Sequence, residues 1–209
     1  MPHKFKKLLE KIAKEKAPGP APTFSVLHIL KTLELTAEKA IGRTKLAEKL
    51  GIGQGATRTI INHLKAANLI SSSRKGCTLT EKGWEIWNEY KKTFQKKVEI
   101  EKCELFGTKY NFAVLAKNCG HKIKSGMEQR DAAVKVGARG AVTILFKNGH
   151  LTIPSVSTDF ENAFPETTEQ IIKALQPEEN DVIVISGADT LDAAEYGAAA
   201  AALTLLDDC

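Results

Sequence analysis

The four cysteines of this chain carry no paired spacing. Cys77, Cys103, Cys119 and Cys209 include no C-x-x-C spacing, so the pattern argues against a structural zinc site and implies no disulfide framework. Cys119-Gly120-His121 could hold a metal in principle, but a strand end followed by a loop is the commoner reading. No metal or other cofactor is expected. Long hydrophobic runs are also missing. The longest, near Tyr196–Leu206, is mostly alanine and glycine and falls short of a membrane span. The basic N-terminus leads into Pro18-Gly19-Pro20-Ala21-Pro22, which is not a signal-peptide core, so the expected location is the cytoplasm. There is no G-x-S-x-G, no H-E-x-x-H and no Cys/His nucleophile set. Asp159, Glu161, Asp189, Asp192 and Glu195 are carboxylates without an evident partner in the sequence. Aspartate is absent from the first 98 residues altogether, where 20 Lys and Arg face 8 Glu. Residues 99–209 reverse the balance, with 10 Lys and Arg against 17 Asp and Glu. A cationic half joined to an acidic half suggests that only the first meets a polyanion.

What is present lies mainly between Gly42 and Gly83. Leu46, Ala47, Leu50, Ile52, Thr57, Ile60, Ile61 and Leu64 recur at helical spacing on both sides of Leu50-Gly51-Ile52-Gly53. Two short helices joined by a glycine turn set the second across the first and present it to a groove. Gly51 can take the left-handed conformation that ends the first helix, and Ile52 fills the corner. Ser71-Ser72-Ser73-Arg74-Lys75-Gly76-Cys77-Thr78-Leu79 reads as a two-stranded hairpin with a basic tip. Thr80 then caps a further helix with Glu81 in its first turn.

The run L-G-I-G-x-G-x-x-R-x-I-I-x-x-L-K-x-x-x-L-I from Leu50, then a hairpin and L-T-x-x-G, resembles the winged helix-turn-helix domains of bacterial and archaeal transcription regulators. That resemblance implies binding to double-stranded DNA, and family habit adds a homodimer reading two half-sites. The overall layout also looks like an uncharacterised archaeal family that joins such a domain to a small α/β domain, which implies no known activity.

The fold class expected is α+β, in three parts. Residues 1–22 form an amphipathic helix, with Phe5, Leu8, Leu9 and Ile12 on one face, followed by the stiff spacer Pro18–Pro22. That helix can dock on the domain, pair with a second protomer or run along DNA; docking is the commonest outcome. Residues 23–97 form the winged helix, ending in a helix Thr80–Lys97 striped by Trp84, Trp87, Tyr90 and Phe94. Such a stripe usually packs; the sharper reading is a dimer contact. Residues 98–209 form a small α/β domain with a mixed sheet and packed helices. Its predicted elements are strands Lys97–Leu105, Asn111–Lys117 and Gly140–Phe146, a turn at Asn148-Gly149, a return strand Leu151–Pro154, and a buried strand Asp181–Ser186. Helices are expected from the Ser125 cap to Val136, over Thr167–Leu175 and over Thr190–Leu206.

Two sets of residues are candidates for binding. With Thr57, Ile60, Ile61 and Leu64 turned inward, Gln54, Ala56, Arg58, Thr59, Asn62 and His63 are left outward on the second helix. Arg pairs with guanine and Gln or Asn with adenine in the major groove. Gly55 favours close backbone approach to a phosphate, and Thr44, Lys45, Lys65, Arg74 and Lys75 suit phosphates or, at the hairpin tip, the minor groove. The second set is Gly187, Ala188, Asp189 and Thr190, a strand running into a helix, with Ser125, Gly126 and Arg130. Together these could line a pocket for a small anionic effector, or be two ordinary capped helices. The reading is therefore a DNA-binding regulator with a sensor or assembly domain. The alternatives are an enzyme carrying a winged-helix appendage, and a winged helix that binds protein or RNA.

Overall fold

The computed structural model describes residues 2–14, 23–156 and 159–206. They divide into two compact units, Met1–Lys91 and Lys92–Cys209. The spacer Pro18–Pro22 and Cys209 lie outside the described residues.

The first unit contains α1 (Pro2–Lys14), α2 (Val26–Glu38), α3 (Arg43–Leu50), α4 (Gln54–Ala66), β1 (Ile70–Ser73), β2 (Gly76–Leu79) and α5 (Glu81–Thr93). Its core is Leu27, Ile29, Leu30 and Leu33 of α2 with Leu46 and Leu50 of α3, Ile60 and Leu64 of α4, and Leu69. Gly51 stops α3 at φ 64° and sends its N–H back to the Glu48 carbonyl, so the chain turns and α4 starts afresh. Thr80 Oγ1 accepts the Gly83 N–H at 3.0 Å and starts α5. Gly83 has no room for a Cβ, which would overlap the Leu69 backbone; glycine is what lets α5 lie against that turn.

The described N-terminal helix, Pro2–Lys14, packs on this unit. Phe5, Leu9 and Ile12 of α1 are buried, and the Phe5 ring lies 5.2 Å from Tyr90, which is stacked on Trp87. Two members of the expected aromatic stripe are therefore occupied within the protomer, while Trp84 is 42% exposed. The stripe itself is shorter than its spacing suggests. Helix α5 ends at Thr93, and Phe94 opens a strand, which moves the join between units from 97/98 to 91/92. The alternation of Val98 and Ile100 with Lys97 and Glu99 is a period of two, and pairing to a sheet edge wins over continued helix.

The second unit contains β3 (Phe94–Glu99), β4 (Tyr110–Ala116), α6 (Met127–Lys135), β5 (Gly140–Lys147), β6 (His150–Thr152), α7 (Phe160–Ala163), α8 (Pro165–Leu175), β7 (Val182–Ala188) and α9 (Leu191–Thr204). The strand order is β3-β4-β7-β5-β6 and every neighbouring pair is antiparallel, not the mixed sheet expected. Strands β4 and β5 do run the same way and are joined through α6, as in a parallel crossover. Strand β7 lies between them and opposes both, so no parallel ladder forms.

All seven residues of β7 are buried, so both sheet faces are covered. One face packs on α6 and α9. There Gly197 and its alanine neighbours let α9 lie close, for a Cβ at Gly197 would come 2.7 Å from that of Ala138 and overlap Ser186. The other face carries Ala113, Leu115, Ile144, Ile183 and Ile185 against Ile100, Phe160, Ile171 and Leu175. Ile100 still donates to the Asn111 carbonyl of β4 at 2.8 Å, but residues 101–105, expected as strand, turn to a helix instead. Gln170 of α8 accepts the Glu101 N–H at 2.9 Å and donates to the Lys102 carbonyl at 2.7 Å, while Glu104 accepts the Thr167 N–H at 3.1 Å. The polar side chains of α8 thus replace a neighbouring strand. Among the described residues, no helix is long and apolar enough to cross a membrane.

Candidate nucleic-acid interface

The first unit presents a groove between the start of α3, the outer side of α4 and the β1–β2 hairpin. Local sequence sets each wall. Thr57, Ile60, Ile61 and Leu64 hold α4 on the core, which turns Arg58 and Asn62 outward. Ser73 shapes the hairpin tip by accepting the Lys75 N–H at 3.1 Å and donating to the Gly76 carbonyl. The hairpin is tied to α3 through the residue just before that helix's cap: Ile41 and Cys77 exchange two backbone bonds, of 3.1 and 2.8 Å. Gly76 makes this approach feasible, at φ +122° with the Ile41 backbone where a Cβ would stand.

The groove has a volume of about 440 Å³ and its charged lining is Arg43, Arg58, Arg74 and Lys75, with no carboxylate. Thr44, Asn62, Ser72 and Ser73 add hydroxyls and an amide. Such walls present donors in fixed directions and suit a partner rich in acceptors.

Of the residues singled out from sequence, Thr44, Arg58, Asn62, Arg74 and Lys75 are brought together here. Gln54, Gly55 and Lys65 are exposed on α4 and Lys45 on α3, outside the groove lining. Three of the residues are less open than helical spacing alone suggests. Ala56 is half-buried, Thr59 is half-buried with its hydroxyl donating to the Gly55 carbonyl at 3.2 Å, and His63 faces inward. His63 Nδ1 lies 2.9 Å from the Ile12 carbonyl, and its ring meets Phe24 edge-on at 5.9 Å. Packing of α1 beside α4 covers the flank that helical spacing alone left open. His63→Ala is accordingly expected to loosen α1, read as faster amide exchange over residues 5–14.

Arg43 was missed. It follows the α3 cap Gly42, one position before the pair Thr44-Lys45 that was chosen, and only the Ile41–Cys77 bridge reveals that α3 starts against the hairpin.

The second candidate set is not one site. Gln129 of α6 donates to Thr204 of α9 at 2.7 Å, and Lys122 to the Leu205 carbonyl, so Ser125, Gly126 and Arg130 lie towards the C-terminal end of α9. Gly187 to Thr190 lead into its N-terminal end. Helix α9 has 14 residues and spans about 20 Å, which keeps the two halves of the expected pocket apart. Locally each residue has another task. Ser125 is exposed and Gly126, at φ 78°, occupies the α6 cap position. Gly187 lies within β7, not in a turn, under Phe106 and Thr108. Ala188 ends that strand, Asp189 pairs with Arg139 at 2.8 Å, and Thr190 caps α9 through the Ala193 N–H.

Three more of the carboxylates that looked unpartnered also have neighbours. Glu161 accepts the Leu151 N–H at 3.1 Å and lies 3.4 Å from His150, Asp159 is bonded to Asn162, and Glu195 to Lys97. Among the described residues, no three His, Cys, Asp or Glu side chains are grouped so as to hold a metal. Cys119 is buried, with its thiol 3.2 Å from the Lys117 carbonyl, while His121 is exposed.

Comparison with known proteins agrees with the two-part layout. Residues 26–85 match the PH0730-like N-terminal domain, and residues 107–205 match a domain of unknown function (DUF4443). The chain is similar to the solved hypothetical protein PH0730 from Pyrococcus horikoshii OT3, with a TM-score of 0.69 at 27% identity, over 87% of this chain and 92% of that one. No curated protein matches. The groove-forming segment from Gly42 to Cys77 falls within the first matched region.

Proposed function

We propose that the chain is a DNA-binding transcription regulator, in which the first unit is a winged helix-turn-helix that sets α4 in the major groove and the β1–β2 hairpin along the backbone. The observation that carries this reading is the acid-free groove, where Arg43, Arg58, Arg74 and Lys75 converge from three elements. Order of elements supports it: a helix, a glycine turn, a second helix and a basic-tipped hairpin follow one another as in that fold. Arg58 and Asn62, one turn apart on α4, suit base edges, while Arg43, Thr44 and Lys75 suit phosphates. The homodimer common among such regulators goes with this reading.

The test is binding of the full chain to random and selected duplexes across a salt series. Affinity should fall linearly in log salt with several phosphates' worth of slope. Arg58→Ala should weaken the preferred sequence by about 1–3 kcal/mol and flatten the preference. Lys75→Ala should weaken all sequences alike and lower the salt slope by about 1. Equal effects of both variants on every sequence would count against base reading by Arg58, and no binding at low salt would overturn the DNA reading.

A further inference from the structure

Helix α1 is amphipathic, and its apolar side is already occupied. Phe5, Leu9 and Ile12 are each no more than 2% exposed. Burial of these three side chains keeps the helix on the first unit. With that side used, it has no apolar face with which to enter a membrane surface. Its outer side carries Lys7, Lys11 and Lys14, all exposed, at successive helical turns. The end of this stripe is fixed beside α4: Ile12, between Lys11 and Lys14 in the chain, is the residue whose carbonyl meets His63. Exposed Lys65 lies two residues beyond His63 on the same last turn of α4.

We infer that α1 is a second DNA-backbone contact, with Lys7, Lys11 and Lys14 neutralising phosphates that flank the segment read by α4. The inference builds on the DNA reading of the groove and deepens it. From Lys7 to Lys14 the helix rises about 10 Å, the length of roughly three base pairs of duplex. The stripe therefore addresses a short flanking segment and reads no sequence. A helix held by its buried face presents these charges without an ordering cost at binding, unlike a flexible basic arm.

The experiment compares the intact chain with a K7Q/K11Q/K14Q variant on random-sequence duplex DNA across salt concentrations. Glutamine keeps the helix propensity of lysine while removing charge. A charge-matched K39Q/K91Q/K92Q variant, altered at exposed lysines elsewhere, controls for net charge. The expected result is a slope lower by about 2–3 for the α1 variant alone, with an unchanged unfolding midpoint. Lysines that served only the C-terminal dipole of α1 would shift the midpoint and leave the slope as it was, which would overturn the inference. So would an equal fall in slope for the control variant, or tighter wild-type binding to duplex RNA than to DNA. If wild type binds with a steep slope that the α1 variant retains, only α1 is excluded. If wild type does not bind at low salt, the reading of the groove fails with it.

Discussion

Replacing Gly76 with alanine should cost the first unit about 2–4 kcal/mol and detach the hairpin from α3. Two effects add. At φ +122° an alanine is strained, and its Cβ would stand 2.6–2.9 Å from the backbone C, O and N of Ile41. Relief requires the strand to move away, which breaks both hydrogen bonds between Ile41 and Cys77. The hairpin bearing Arg74 and Lys75 then no longer faces Arg43 and Arg58, so under the proposed DNA-binding function the variant should also show a lower salt slope on duplex DNA. Gly55→Ala is the contrast. A Cβ there meets nothing, and alanine in an exposed helix should leave stability unchanged or raise it by up to about 1 kcal/mol. Unfolding midpoints in urea, with amide exchange at Ile41 and Cys77, would check both. A Gly76→Ala midpoint equal to wild type would show that the hairpin is not held as described.

A comparable loss is expected in the second unit from Asp181→Ala, on the order of 3 kcal/mol. Asp181 is 1% exposed. Its carboxylate accepts from Lys117 Nζ at 2.9 Å, from the Glu178 N–H at 2.8 Å and from the Asn118 N–H at 2.9 Å. Lys117 donates also to Glu178 at 2.7 Å. Alanine would leave two backbone donors and part of an ammonium without this acceptor. The same cluster has a pH signature. Burial by itself lowers the Lys117 pKa, but the bonds to Asp181 and Glu178 outweigh it and hold the ammonium above the ordinary lysine range. A folded-state pKa above the unfolded one means stability fully present below the unfolded value and lost as pH rises through the folded one. Wild type should therefore weaken above the ordinary lysine pKa, and Asp181→Ala should show a flatter alkaline flank. Urea unfolding at neutral and strongly alkaline pH would measure this, and parallel pH profiles would exclude the linkage.

Local features were the legible ones. The inward set Thr57, Ile60, Ile61 and Leu64, the stop at Gly51, the cap at Thr80 and the Asn148-Gly149 turn are each decided within a few residues. What escaped depended on distant partners. His63 has the spacing of an outward residue until α1 is laid beside it. Phe94 continues the spacing of Trp84, Trp87 and Tyr90, yet Ala116 of β4 claims it for the sheet. Nothing in Val182–Ala188 marks that segment as lying between residues 110–116 and 140–145, so a strand seen correctly as buried was placed in the wrong kind of sheet. Ser125 and Thr190 looked alike as helix starts, but antiparallel packing of α6 and α9 sends those starts to opposite ends.

The central place of β7 has a consequence for how the protein is made. Every residue of the first unit has left the ribosome once Lys91 is through, so all the partners its helices and hairpin need are then at hand. The sheet of the second unit cannot close so early. Strands β4 and β5 have no bond to each other, and each waits with an unpaired edge until residues 182–188 have been synthesised and inserted between them. Pairing of that kind is slow because a long loop must close first, and open edges are where nascent chains aggregate. Ribosome stalling or truncation before β7 should therefore yield a folded first unit trailing an adhesive half-sheet.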